Sequence, residues 1–163
     1  MSDTAEQLER YRRAPELLAS LLTGVAGREF DFSPAPGKWS IRQIMAHLAD
    51  SEMMASMRFR MTIAEENPSL PHYDQDLWAT RLDYQRRKVS ECMETFRRVR
   101  RENFGLLEGM EAITFARTCQ HPKRGTMTVA DLLVMYTDHA ENHALQIKQI
   151  RDAYRAAKAA GEA

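Results

Sequence analysis

Hydrophobic residues recur every three or four positions along four long stretches of the chain, and this spacing predicts four amphipathic helices. The predicted helices cover residues 4–23, 40–67, 79–107 and 128–154. Between them the helical spacing breaks down, and hardly any segment alternates in the way that predicts a strand. The sequence therefore predicts an all-α protein, a four-helix bundle with long loops between helices 1 and 2, 2 and 3, and 3 and 4.

Local signals mark where some of these helices begin. Ser40 with Gln43, and Thr128 with Asp131, form two predicted capping boxes, in which each N-terminal side chain accepts a backbone hydrogen bond and the later side chain returns one. Pro15 falls inside the first predicted helix. Because proline lacks a backbone donor and crowds the preceding turn, we expect a kink or a restart of the helix there.

Prolines and glycines concentrate in the connections between the helices. The stretches FDFSPAPGK at 30–38 and NPSLPHYDQDLW at 67–78 are predicted loops. The connection 113–127 is predicted to be irregular, with a short extended piece at 113–115. Connections of about 12 to 20 residues are longer than a bundle needs, and such loops often shape a binding site. Trp39 and Trp78 border the first two loops and either pin them to the bundle or form walls of a substrate pocket.

Length and composition narrow the class of protein. A chain of 163 residues suits one domain over 1–163, with a core over about 4–154 and an alanine-rich tail at 156–163 that we expect to fray. With 23 basic and 23 acidic residues the formal net charge is zero, which argues against nucleic-acid and anionic-membrane partners. The polar N-terminus and the lack of a long apolar run predict a cytoplasmic protein. The basic stretch 81–102 leaves binding of RNA or of an acidic partner molecule as an alternative, although such runs are usually solvated helix faces.

Two histidines stand on the apolar stripe of the fourth predicted helix. His139 and His143 are four residues apart and in phase with Tyr136 and Ile147, so both are expected to face the bundle interior one turn apart. Two imidazoles at this spacing can chelate one metal ion, as in the helical H-E-x-x-H motif. Such pairs are also common on helices that bind no metal, but two buried imidazoles without partners would each cost about 1–3 kcal/mol.

His47 is the candidate for a third ligand, because it lies near the inward face of the second predicted helix. A three-histidine set leaves coordination positions open, as catalytic metal sites do, and imidazoles suit zinc, nickel, copper and iron(II). Asp50 follows one turn later and could orient a ligand ring or act as a base; a solvated or capping carboxylate is the alternative. Histidines that merely hydrogen-bond in the core are the alternative for the whole set.

The remaining candidate residues carry weaker signals. Cys92 lies on the apolar stripe of the third predicted helix and is expected to be a buried, inert thiol. Cys119 lies in the irregular connection, where its thiol could be exposed to solvent. His72 and His121 stand next to prolines and are predicted to be surface or loop-packing residues, with the mouth of the site as a second possibility for His121.

Three runs of sequence together resemble a known family. These are GKWSIRQIMAHLADSE at 37–52, PHYDQDLW at 71–78 and HPKRGTMTVADLLVMYTDHAENHALQI at 121–147. In content and order they are similar to the DinB/YfiT-like superfamily, and most similar to its YfiT branch, over roughly residues 11–150. The resemblance implies a four-helix bundle with a three-histidine site for nickel or zinc, and it puts His47, His139 and His143 at the ligand positions. It also implies a homodimer.

The resemblance bears on function as well. Members are often labelled metal-dependent hydrolases, whereas some branches transfer low-molecular-weight thiols, and the YfiT branch looks like the bacillithiol S-transferases. The leading hypothesis is therefore a metal-dependent transfer of a bacillithiol-like thiol to an electrophilic small molecule. A hydrolase that activates water at the same ion is the first alternative. A metal- or ligand-binding protein of a stress response, without catalysis, is the second.

Overall fold

The computed structural model describes residues 3–161, and four long helices dominate this part of the chain. This confirms the predicted four-helix bundle. The long helices are α1 (Asp3–Leu22), α2 (Ile41–Ala64), α4 (Val89–Glu108) and α6 (Val129–Ala159). The connections contain two short helices and a hairpin: α3 (Gln75–Arg81), α5 (Ala112–Phe115), β1 (Thr118–His121) and β2 (Gly125–Thr128). Within the described range, no helix is both long and apolar enough to cross a membrane.

The bundle is held by an apolar interior to which all four long helices contribute. Helix α2 packs against α4 and α6, and α1 packs against the same two helices. Both predicted capping boxes are present, at Ser40 with Gln43 before α2 and at Thr128 with Asp131 before α6. These caps set where α2 and α6 begin, and so they set which of their residues face each other across the bundle.

Helix α1 continues through Pro15, so the predicted restart does not occur. A proline there leaves the carbonyl of Tyr11, four residues earlier, without its helical donor. The buried guanidinium of Arg100 donates to this carbonyl from Nη1 at 3.4 Å. Its Nη2 donates to the carboxylate of Glu52 at 2.6 Å, and Asn103 donates to the same carboxylate. The interior of the bundle therefore replaces the hydrogen bond that proline removes.

The third long helix begins at Val89, and the prediction that it begins near residue 79 is wrong. The preceding residues instead form α3, after which Asp83 takes a left-handed backbone conformation with φ of 49°. A left-handed residue that is not glycine interrupts a right-handed helix. Leu82, which lies within the helix predicted over 79–107, is 49% exposed.

The connection before α6 is more regular than predicted. Residues 113–115 are helical, within α5, and the extended segments are β1 and β2, which pair antiparallel from Thr118 opposite Thr128 to His121 opposite Gly125. Cys119 lies on the inner face of this hairpin and is fully buried, so the expectation that it could be exposed is wrong. Helix α6 extends to Ala159, so residues 156–159 of the alanine-rich tail are helical. Residues 162 and 163 of that predicted tail lie outside the described range.

The hairpin is tied to the loop that follows α2. The backbone N–H of Leu70 donates to the carbonyl of Gln120 at 2.9 Å, and the N–H of Gln120 donates to the carbonyl of Pro68 at 2.8 Å. These bonds place the end of β1 beside the C-terminal half of α2. His121, the last residue of β1, is therefore buried rather than on the surface.

Candidate metal centre

His47, His139 and His143 come together in one cluster at the interface of α2 and α6. Each contributes one ring nitrogen, and these three atoms lie within 4.8 Å of one another. The Nε2 atoms of His47 and His139 are 2.9 Å apart. The three ring centroids are separated by 4.6 to 5.0 Å. The structure thus brings together all three histidines that the sequence analysis singled out.

The positions of the three rings follow from the helical spacing. His139 and His143 are one turn apart on α6, so their side chains lie on one face of that helix. His47 lies on α2 between Ile44 and Leu48, which are both fully buried. The His47 side chain is almost fully buried, whereas the two rings on α6 are half-buried. One edge of the cluster therefore remains accessible from outside the bundle.

Burial keeps these three imidazoles neutral. It lowers the pKa of His47 to about 3, with a smaller contribution from His143. Burial also lowers the pKa of His139 well below its ordinary value, and that of His143 below it. A neutral imidazole has a lone pair on one ring nitrogen, which is the form that binds a metal ion.

The donor set fits a divalent transition-metal ion. Three neutral imidazoles within reach of one point are a common set for zinc, nickel, copper and iron(II). The buried Nδ1 of His47 has no hydrogen-bond partner among the described residues, and the facing Nε2 atoms of His47 and His139 can share only one hydrogen between them. An apolar interior alone would leave these nitrogens incompletely satisfied, and a cation between them would satisfy the facing pair.

Two residues that the sequence analysis did not consider orient the rings. The hydroxyl of Ser51 lies 3.3 Å from Nδ1 of His139, and Oε1 of Gln146 lies 2.9 Å from Nδ1 of His143. The amide oxygen of Gln146 can only accept, so it places the hydrogen of His143 on Nδ1 and the lone pair on Nε2, and the hydroxyl of Ser51 is compatible with the same tautomer of His139. Polar contacts of this kind fix the orientation of metal-binding histidines. Their positions, four residues after His47 and three after His143, were the available sequence signal.

Asp50 is engaged elsewhere in the structure. Its two carboxylate oxygens accept from Nη1 of Arg87 at 2.9 and 3.1 Å, and its side chain is almost fully buried. Among residues 3–161, the described polar contacts of the three histidines include no carboxylate. The structure therefore pairs Asp50 with an arginine and not with a ring of the cluster.

The two tryptophans occupy different places. The Trp39 ring packs against His47, with centroids 5.0 Å apart, and it also contacts Tyr84. The Trp78 ring packs against Tyr73, with centroids 4.7 Å apart. Trp39 is therefore next to the histidine cluster, whereas Trp78 supports the loop before α3.

A cavity of about 1000 Å³ adjoins the cluster and opens to solvent. His139 and Ser51 line one part of it. The other walls come from the loop before α3, from the β1–β2 hairpin and from the preceding turns of α6. His121 is among these residues, so it lies in the cavity that contains a histidine of the cluster. A small molecule can thus approach the cluster from this side.

Comparison with known proteins identifies the family. The family model described as the DinB superfamily matches residues 10–147, which is most of the chain. The chain belongs to the DinB superfamily. The matched range includes all three histidines of the cluster.

Several relatives of this DinB protein carry names that refer to a metal. A protein of Oceanobacillus iheyensis is 28% identical over 145 residues, which cover 89% of this chain and 84% of that protein, and it is named "Putative metal-dependent hydrolase OB0782". A protein of Bacillus mycoides with the corresponding name is 25% identical over 145 residues, which cover 89% of this chain and 83% of that protein.

A solved structure shares the fold. YfiT from Bacillus subtilis superimposes with a TM-score of 0.86 at 22% identity, over 100% of this chain and 91% of YfiT. That structure is described as "a probable metal-dependent hydrolase with an unusual four-helix bundle topology". At this level of identity the similarity establishes the bundle topology.

Proposed function

We propose that this protein is a metal-dependent enzyme in which His47, His139 and His143 hold one divalent ion, with nickel and zinc as the first candidates. The observation that carries the proposal is the convergence of three neutral imidazole nitrogens within 4.8 Å of one another at the edge of an open cavity. Three protein ligands leave room for a further ligand, which is the arrangement of catalytic rather than structural sites. The names of the relatives from Oceanobacillus and Bacillus support a metal-dependent activity.

The favoured reaction is transfer of a low-molecular-weight thiol to an electrophilic small molecule. A bound divalent ion would supply Lewis acidity and lower the pKa of a coordinated thiol or water. Ser51 and Gln146 would hold the rings of His139 and His143 in the ligating tautomer. In the transfer, the thiol sulfur forms a bond to the electrophilic carbon, the leaving group departs with its electron pair, and the thiol proton passes to solvent.

The reason to prefer a thiol is that the described part of the chain offers no carboxylate base at the cluster. The nearest predicted candidate, Asp50, accepts from Arg87, and Glu52 accepts from Arg100. Many metal-dependent hydrolases also place a carboxylate beside the ion to take the proton of the attacking water, as the glutamate of the H-E-x-x-H motif does. A thiol already loses its proton on coordination and needs no such group.

Hydrolysis is the second candidate, and the names of the relatives favour it. Both reactions use the same three histidines and the same cavity, and they differ in the nucleophile.

A direct comparison of the two activities separates the candidates. Metal-loaded protein is assayed with an activated chloroarene plus a thiol, and with a nitrophenyl ester without thiol. Thiol-dependent consumption of the chloroarene supports transfer, and thiol-independent ester cleavage supports hydrolysis.

Metal content is tested before activity. Protein purified without nickel affinity resin is analysed for its elements beside the His139→Ala variant, with His72→Ala as the matched control because His72 is exposed and outside the cluster. We expect about one ion per chain in the parent and the control and a loss of that ion in His139→Ala. Absence of metal after reconstitution with zinc and with nickel would refute both candidate reactions.

A further inference from the structure

Arg58 is a buried arginine that has no carboxylate partner within the described residues. Its side chain is 5% exposed, and Nη1 donates to the hydroxyl of Tyr136 at 3.0 Å while Nη2 donates to the carbonyl of Pro71 at 2.7 Å. Its Nε is buried and has no hydrogen-bond partner in the part of the chain that the structure describes. The guanidinium therefore has no counterion among the described residues, in a site where desolvation of a charge is costly.

Other buried or half-buried arginines of the described bundle are neutralised by carboxylates. Arg100 pairs with Glu52 at 2.6 Å, Arg151 pairs with Glu29 at 2.9 Å, and Arg87 pairs with Asp50 at 2.9 Å. The protein thus provides an anion wherever such an arginine serves the fold. Arg58, which lines the cavity beside the histidine cluster, is the exception to this pattern.

The neighbouring imidazole adds a second unsatisfied donor. Nδ1 of His121 lies 3.2 Å from the backbone nitrogen of Lys123, and Nε2 lies 3.3 Å from Nη1 of Arg58. Both neighbouring groups are donors, whereas a neutral imidazole has one acceptor nitrogen only. In either tautomer, the N–H of the His121 ring therefore faces another donor, either the backbone N–H of Lys123 or Nη1 of Arg58. An oxygen that accepts from both His121 and Arg58 would remove the conflict.

Further positive charge lies on the same wall of the cavity. Lys123 and Arg124, at the turn of the hairpin, are exposed and line it. Burial lowers the pKa of His121, and the nearby positive charges of Arg58, Arg124 and Lys123 lower it further.

The two carboxylates on the rim of the cavity do not cancel this charge. Asp131 accepts from the backbone N–H and the hydroxyl of Thr128 in the capping box of α6. Asp138 pairs with Arg10 at 2.9 Å on the opposite side. Each carboxylate is therefore already engaged, and Arg58 has no described contact with either.

The cations and the histidine cluster lie along one seam. His47, Ser51 and Arg58 are on the same face of α2, since a separation of eleven residues is close to three turns. The axial distance from Ser51 to Arg58 is about 10 Å. His139 and Tyr136 follow the facing side of α6 over the same stretch. A small molecule in the cavity could therefore reach both ends of this seam.

We propose that Arg58, His121, Lys123 and Arg124 form a subsite that binds an anionic group, a carboxylate or a phosphate, of the small molecule that reacts at the histidine cluster. Planar guanidinium groups bind the paired oxygens of both anions, and the additional donors favour a group with several oxygens. The inference rests on the proposed function for the identity of the reacting end, whereas the anion subsite itself depends only on these four residues.

The first test measures binding of succinate and of inorganic phosphate to the full chain at low ionic strength. The side-chain N–H signals of arginine in nuclear magnetic resonance spectra and titration calorimetry report on it. We expect both readouts to show saturable binding of at least one anion, and the stronger anion identifies the chemical class. The neutral analogue succinamide should not bind. Absence of binding by both anions would overturn the proposal.

Variants locate the binding. Because Arg58 supports the loop before α3, Arg58→Met can affect folding, so the decisive variant is the double substitution Lys123→Ala with Arg124→Ala at the exposed turn. Arg86→Met removes an exposed arginine elsewhere and is the matched control. Loss of charge-assisted contacts should weaken the anion about tenfold in the double variant and leave the control unchanged. Equal affinity in the double variant and the parent would refute the subsite.

A metal ion could bind the same anions directly, and the His143→Ala variant separates this case. Anion binding that persists in His143→Ala and weakens in the double variant supports the subsite. Binding that is lost in His143→Ala and unchanged in the double variant means that the anion binds only the metal, which overturns the proposal. The metal content of the same samples tests the proposed function independently of these outcomes.

Discussion

Two polar clusters are buried in this bundle, and they differ in how far the protein itself pairs their polar groups. In the core cluster, Glu52 accepts from Tyr11, Arg100 and Asn103, so the negative and positive charges are paired and hydrogen-bonded. In the histidine cluster, the ring nitrogens face each other, and within residues 3–161 the polar contacts from outside come from Ser51 and Gln146. A buried polar group that the chain completes itself serves the fold, whereas one that it leaves incomplete indicates a ligand.

The largest expected effect comes from breaking the core cluster. Arg100→Met leaves the Glu52 carboxylate buried without its counterion and the Tyr11 carbonyl without a donor. Removing one partner of a buried pair should lower the free energy of unfolding by about 3–5 kcal/mol. Chemical denaturation of the metal-free protein measures this. Arg98→Met, which removes a mostly exposed arginine from α4, is the control and should cost no more than about 1 kcal/mol. Similar losses in both variants would contradict the structural role of the core cluster.

The next largest effect separates the histidine cluster from the core cluster. A ligand present at one hundred times its dissociation constant stabilises the folded state by about 2.7 kcal/mol. We expect zinc or nickel to raise the thermal midpoint of the parent and of Arg98→Met, and to have no effect on His143→Ala. The metal-free His143→Ala variant should remain folded, because the ring is half-buried and its described hydrogen bonding is limited to Gln146. A metal-induced shift that survives in His143→Ala would refute the assigned ligand set.

The histidine cluster should also make the stability of the folded protein depend on pH. Burial lowers the pKa of His47 to about 3 in the folded state, against an ordinary value of 6.5. As the pH falls, the unfolded chain therefore binds a proton at His47 before the folded protein does. The contribution of His47 to stability is complete above about pH 6.5, and it is lost between about pH 6.5 and about pH 3. The slope is at most about 1.4 kcal/mol per pH unit for one such histidine.

Denaturation of the metal-free protein at a series of pH values measures this slope. His47→Phe keeps an apolar ring in place and should flatten the dependence relative to the parent. If the slope is the same in both proteins, the imidazole of His47 is not held neutral by burial.

The smallest expected effect tests a polar neighbour of the cluster. Gln146→Leu removes the acceptor at Nδ1 of His143 but none of the three metal-binding nitrogens. Loss of such an orienting contact should weaken the metal about tenfold while leaving one ion per chain at saturation. Gln149→Leu, on an exposed position of the same helix, is the control. Competition with a chelator measures both affinities, and equal values would show that Gln146 does not orient the ring.

Local sequence patterns were sufficient for the helical framework and for the histidines that it aligns. The apolar stripe around His139 and His143 depends only on the helical period, and the capping boxes at Ser40 and Thr128 involve residues three positions apart. The place of His47 opposite them followed from its phase on α2 and from the family resemblance. These features are local, so no knowledge of distant contacts was needed.

Other features depended on contacts between distant parts of the chain. Pro15 interrupts no helix because Arg100, far along the sequence, donates to the freed carbonyl. The start of α4 at Val89 and the burial of Cys119 depend on how the loop before α3 and the hairpin pack against the bundle. Asp50 has the spacing of a residue that orients a metal-binding histidine ring, yet in the folded protein it accepts a hydrogen bond from Arg87 instead.

The sequence by itself determined the helices, their caps and the inward-facing imidazoles, because helical period and capping act over a few neighbouring residues. Only the tertiary structure decided which buried charges have partners. Ion pairs such as Glu52 with Arg100 join residues from different helices, and no local pattern records them. The same reason explains why Arg58 was not recognised from the sequence: its lack of a carboxylate partner is evident only when all its neighbours in space are known.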